Sequence, residues 1–178
     1  FPVNTYTTSH QRYPSVARLN NGKFVVTWGS YNQDGDNYGI YGQRYKADGT
    51  TDGSEFRVNS YTNGAQQKPS VTALDGGKFV IVWQSDGQDG SMYGVYAQRY
   101  KADGTTDGSE FRVNTHTPNT QLGPSVAHLG GDKFVVVWTS SGQDGSSFGI
   151  YGQRYKADGT TDGSEFRVNT YNSFSQYG

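Results

Sequence analysis

The chain has 178 residues, with 25 glycines, 14 tyrosines, no cysteine and a net charge of -1. That balance suggests no basic face for nucleic acid, leaves no disulfide framework or thiolate metal site, and includes no apolar run that approaches membrane-spanning length. An aromatic share of 15% argues against disorder, and Gly with aromatic and β-branched residues points to short strands joined by tight turns.

The chain opens on FPVN, which aligns with FRVN at 56–59, 111–114 and 166–169. It begins at Phe1 rather than Met, so the reading at this point is a processed product or a fragment. A first strand is predicted at PSVARL (14–19), then a tight NNG turn and a second strand at KFVVTW (23–28). In that strand Phe24, Val26 and Trp28 share one face, and Val25 and Thr27 the other. The loop GSYNQDGDN follows, then a third strand at 38–46, a DGTTDG turn and a fourth strand, EFRVN, at 55–59. No helical periodicity is present.

The whole pattern then recurs with a period of 55: Pro14, Pro69 and Pro124 mark it, as do Trp28, Trp83 and Trp138. KADGTTDGSEFRVN is written three times without a change, at 46–59, 101–114 and 156–169. This predicts an all-β fold of three four-stranded antiparallel repeats at 14–68, 69–123 and 124–178, resembling β-propeller blades. Residues 1–13 read as a partial fourth-strand segment, and 1–178 as one repeat domain. Three blades are fewer than the roughly four a propeller needs to close. The alternatives are dimerisation into a six-bladed ring, membership of a longer array, or a β-trefoil-like closure.

Several constellations carry candidate chemistry. Asp34 and Asp36 in QDGDNYG, with Asp89 and Asp144 in the other copies, are the candidate metal ligands. Calcium is the cofactor they suggest, although it wants roughly six or more oxygens and Asp-Gly is also ordinary turn chemistry. The same weighing applies to Asp48, Asp52 and Glu55 with their copies. Aromatic faces beside planar polar side chains suit sugars. The candidates are Tyr38, Tyr41, Gln43 and Arg44; Tyr93, Tyr96, Gln98 and Arg99; and Phe148, Tyr151, Gln153 and Arg154. A catalytic site needs different groups converging once, and His10, His116 and His128 do not recur at equivalent positions. The expectation is therefore no enzyme. The surplus fourth-type segment marks Phe1, Val3 and Asn4, and Phe166, Val168 and Asn169, as candidate assembly strands, because an unpaired edge invites strand addition.

The elements PSVA-x-L, G-x-FVV-x-W, QDG, YGIYGQRY and DG-x-x-x-G-x-EF-x-VNT resemble a tandem repeat of very large secreted bacterial proteins of RTX-like or adhesin-like type. The resemblance covers essentially the whole chain. It implies an extracellular or cell-surface setting and a structural or adhesive role. It does not imply calcium, because the GGxGxD nonapeptides of such proteins are absent. The function expected from the sequence is thus a non-enzymatic surface structure, fibre or adhesin built by strand sharing or repeat stacking. A multivalent carbohydrate-binding lectin is its alternative. The expected partners are copies of the chain itself and glycans.

Overall fold

The computed structural model describes residues 1–170 apart from Ser146. Each repeat folds into its own antiparallel sheet. The first holds β1 (Gln11–Arg18), β2 (Phe24–Tyr31), β3 (Tyr38–Tyr45) and β4 (Phe56–Arg57) in that order. The second holds β5 (Gln66–Ala73), β6 (Phe79–Asp86), β7 (Tyr93–Tyr100) and β8 (Phe111–Arg112). The third holds β9 (Gln121–Gly130), β10 (Lys133–Ser141), β11 (Phe148–Tyr155) and β12 (Phe166–Arg167).

The first strands of successive sheets lie against one another, β1 on β5 and β5 on β9. They are the inner strands, and β4, β8 and β12 the outer ones. Val71 N donates to Ser15 Oγ at 3.2 Å and Val126 N to Ser70 Oγ at 3.3 Å, so each inner strand is tied to the next. These are three consecutive blades of a β-propeller. The trefoil-like closure is corrected by the four-stranded sheets, which stay separate and stack face to face.

Both faces of the middle blade are buried. One carries Phe79, Ile81 and Trp83 against Val25, Ile40 and Val58 of the first blade. The other carries Val80, Val82, Val95 and Ala97 against Phe134, Val136, Trp138 and Tyr155 of the third. The alternation of KFVVTW places these sets on opposite faces. Among the fully buried side chains, Trp83, Trp138, Phe79 and Phe134 are the largest apolar ones.

Strand limits differ from the sequence reading for local reasons. The inner strand starts three residues earlier, at Gln11, but carries a bulge between Arg12 and Ser15. Pro14 has no N–H to give to the ladder, and Tyr13 takes a left-handed φ of 57°. The fourth strand pairs over two residues only. Beyond them Val58 N donates to Ile40 O at 2.8 Å, while Ile40 N donates to the side-chain Oδ1 of Asn59 at 2.6 Å. A side chain has replaced the backbone in the ladder. The same arrangement recurs at Asn114 and Asn169.

Candidate functional site

The invariant stretch KADGTTDGSEFRVN is a set of structural contacts. Asp48 accepts from Thr50 N at 2.9 Å and Thr50 Oγ1 at 2.6 Å, closing its turn. Those two bonds hold its carboxyl below the usual range. Asp52 receives Lys23 at 3.0 Å. Glu55 accepts from Gln33 Nε2 on one oxygen and from Thr5 N and Oγ1 on the other. Glu110 and Glu165 repeat this with Gln88 and Ser60, and with Gln143 and Thr115. The glutamate is a staple between each outer strand and the segment that precedes its blade.

Most of the residues singled out as sugar contacts are built into the blades. Tyr41, Tyr96 and Tyr151 are buried, as are Gln43, Gln98 and Gln153. Each glutamine donates to the carbonyl of the following arginine and to that of Gly53, Gly108 or Gly163. Arg44 and Arg99 reach across to the next blade, donating to Ala102 O at 2.8 Å and Ala157 O at 3.0 Å; Arg154 is exposed. Asp34, Asp89 and Asp144 fold back onto Gly39, Gly94 and Gly149. A Cβ on Gly94 would come within 2.6 Å of Asp89 Oδ2 and one on Gly149 within 2.9 Å of Asp144 Oδ2. Burial, then the nearby aspartate, pushes the Tyr41 and Tyr96 hydroxyls up to about 12. The described residues contain no group of three or more His, Cys, Asp or Glu side chains placed to hold a metal ion.

Tyr38 and Tyr93 stand elsewhere, at the rim of the junction between the first two blades. The linkers entering each blade and the loops joining its second and third strands run side by side there: Tyr31 N donates to His10 O at 2.9 Å and Asp86 N to Ala65 O at 3.0 Å. Tyr13, the left-handed bulge residue, is 38% exposed. Its ring lies 6.4 Å from that of Tyr38, which Tyr31 meets edge-on at 5.1 Å. Tyr31 is 39% exposed and Tyr38 buried, so two open rings rest on a closed one. Tyr93 is half-buried, and its hydroxyl is pushed up by burial, then by Asp86 and Tyr13.

Two carboxylates approach Gly64 on this rim, and one of them, Asp86, acts on Tyr93. Asp36, in the β2–β3 loop, accepts from Gly64 N at 2.9 Å and Asn37 N at 2.8 Å. Both bonds hold its carboxyl below the usual range. Asp86, at the end of β6, approaches the same glycine from the second blade. A Cβ on Gly64 would lie 3.3 Å from Asp86 O and 3.6 Å from Asp86 Oδ2, and its φ is 69°. Gly64 thus lets Asp36 and Asp86 close on one point of the rim. Neither recurs: Asp36 aligns with Ser91 and Ser146, and Asp86 with Tyr31 and Ser141.

Sequence reasoning placed Tyr38 and Tyr93 among sugar contacts and Asp36 among metal ligands, and it missed Tyr13, Tyr31, Gly64 and Asp86. The available signal was departure from the repeat. In an otherwise threefold chain, position 36 is acidic in one copy alone, and the position of Tyr31, Asp86 and Ser141 differs in all three copies.

No family model and no curated protein matches the chain. Solved structures do. An α-L-arabinanase from Penicillium chrysogenum, complexed with arabinobiose, is similar with a TM-score of 0.67 and 18% identity, over 94% of this chain and 52% of that one. An α-L-arabinofuranosidase from Fusarium graminearum, in complex with an iminosugar inhibitor, has a TM-score of 0.66 and 15% identity, over 94% and 51%. An endo-arabinase from Bacteroides thetaiotaomicron has 0.57 and 15%, over 96% and 66%. The chain therefore spans about half to two thirds of the length of these structures. At these identities the likeness shows the propeller fold. It also corrects the expectations of no enzyme, and of a non-enzymatic fibre or adhesin with a lectin as alternative. The neighbours named here are glycoside-cleaving enzymes, and the asymmetric convergence that the repeats had been read as lacking is present at the first blade junction.

Proposed function

We propose that this chain takes part in carbohydrate processing, cleaving glycosidic bonds in a pentose-rich polysaccharide of the arabinan class at the first blade junction. The observation that carries this reading is the single meeting of Asp36 and Asp86 at Gly64, with Tyr93 acted on by Asp86 and Tyr13, in a chain otherwise written three times over. Glycoside hydrolysis commonly uses two carboxyl groups, one protonating the leaving oxygen and the other acting on water or on the sugar carbon. Asp36 is held ionised by two backbone N–H groups, the form a base or nucleophile needs. Asp86 is the second carboxyl group of the pair. The open rings of Tyr13 and Tyr31 offer apolar faces to the sugar. The likeness to arabinan-cleaving propellers supports the substrate class.

The test is release of reducing ends from arabinan and arabino-oligosaccharides by the chain, beside Asp36→Asn and Asp86→Asn. Cleavage by the parent and its loss in both variants is the expected result. Absence of cleavage across arabinan, arabinoxylan and xyloglucan, or unchanged activity in both variants, would overturn the reading.

A further inference from the structure

Each internal junction sets the trailing face of one blade on the leading face of the next, and the chain makes this interface twice. One trailing face and one leading face are left over, on the third and first blades. Their exposure departs sharply from that of the internal copies. Val58 and Val113 are 6% and 3% exposed, yet Val168 is 51%. Val71 and Val126 are 7% and 8% exposed, yet Val16 is 64%. These are the same residues of the same repeat, and the described residues place no neighbouring blade beside Val16 or Val168.

The polar contacts are left over in matching pairs. Ser15 and Ser70 accept from the backbone of Val71 and Val126; the next such pair is Ser125 Oγ and Val16 N. Arg44 and Arg99 donate to Ala102 O and Ala157 O; the next pair is Arg154 and Ala47 O. A surface whose apolar and polar groups both find their complements on the far end of the same chain points to one occupant.

We propose that a second copy of this chain docks head to tail, the third blade of each copy on the first blade of the other, closing a ring of six blades. Such a contact is heterologous, and it stops at a ring when the rotation closes. Propellers close with between about four and eight blades. Residues 1–5 give the assembly a strand exchange. Phe1 lies 5.4 Å from Tyr45, as Phe56 does from Tyr100 and Phe111 from Tyr155. Thr5 donates to Glu55 as Ser60 does to Glu110 and Thr115 to Glu165. The segment already holds the place of a preceding blade's outer strand. In the ring it serves as that strand beside β11 of the second copy, whose residues 166–169 give up the position.

Sedimentation equilibrium of the 178-residue chain over a concentration series tests the assembly. The expected mass is twice 19.5 kDa. Val16→Glu lies on surface open in the single copy, so it should return the mass to one copy with an unchanged far-UV circular dichroism spectrum, whereas Val168→Glu, in the segment that gives up its place, should leave the dimer intact. Arg154→Ala should shift the dimer–monomer midpoint to higher concentration, and it carries the test should Val16→Glu misfold. A single-copy mass at every concentration, a mass that grows without limit, or a dimer indifferent to both Val16→Glu and Arg154→Ala would overturn the proposal. Glycan cleavage is a separate readout, so loss of either proposal leaves the other standing.

Discussion

At the first blade junction Phe79 stacks on Tyr100 at 4.8 Å, with Trp83 pressed onto Val25 and Ile40. At the second, Phe134 stacks on Tyr155 at 4.8 Å, with Trp138 pressed onto Val80 and Val95. The cores are the same object made twice. Above them the rims part. The first carries Asp36, Gly64 and Asp86 with four tyrosines. The second places Ser91, Asn119 and Ser141 at the aligned positions, with Ser91 Oγ donating to Asn119 O at 3.1 Å. The difference teaches that the core and the rim answer to separate demands. Stacking blades requires repeated shape, while a reaction requires groups that occur once. The loops can meet the second demand because they lie outside the packed layer.

The equal-core half of this comparison is broken or kept by Trp83→Ala and Trp138→Ala. Each should cost about 3–5 kcal/mol in urea unfolding, by similar amounts; a clear inequality would show that the junctions are not equivalent. The unequal-rim half is tested by giving the first junction the residues of the second. Asp36→Ser with Asp86→Ser should lower kcat for arabinan cleavage by about 10²–10⁴-fold. The melting temperature should move little, since both positions lie outside the core.

Alkali should act on the shared core. The Tyr96 hydroxyl in the first junction and the Tyr41 hydroxyl under residues 1–5 are raised to about 12, and Tyr151 in the second junction is raised as well. A folded-state value above the ordinary one, about 10, means that the unfolded chain loses these protons first. Stability is therefore full below about pH 10 and falls as pH climbs from there toward 12. Tyr96→Phe should flatten that fall in an alkaline unfolding series. In acid the sign reverses for Asp36, whose carboxyl is depressed. Its contribution is present above the ordinary carboxylate value and is lost as pH drops through the lower folded value. The aligned Ser91 makes no such contribution.

The smallest expected effect belongs to the bulge. Tyr13 and Lys68 hold left-handed φ values where the third blade has Gly123, a strain of about 1 kcal/mol for a residue with a side chain. Tyr13→Asn should leave stability within about 1 kcal/mol, because Asn tolerates this conformation, while raising KM for the glycan. An unchanged KM would remove Tyr13 from the sugar surface.

Sequence alone determined the period, the four strands of each blade and the apolar alternation that buries Phe79 and Trp83 on one face and Val80 and Val82 on the other. These depend on local chemistry: a two-residue side-chain period, positive-φ turns, and Pro where the ladder breaks. It also marked Tyr38 and Tyr93 for sugar, and residues 1–4 as a surplus strand equivalent. Tertiary structure decided which repeated polar residues were already committed. Gln43 and Arg44 look free for a ligand in the sequence, but they are bonded to Gly53 O and Ala102 O. It decided too that Asp36 and Asp86, from different repeats, meet at Gly64. Their approach depends on how one blade is rotated onto the next, and that rotation is set by core packing between sheets, which no single repeat contains.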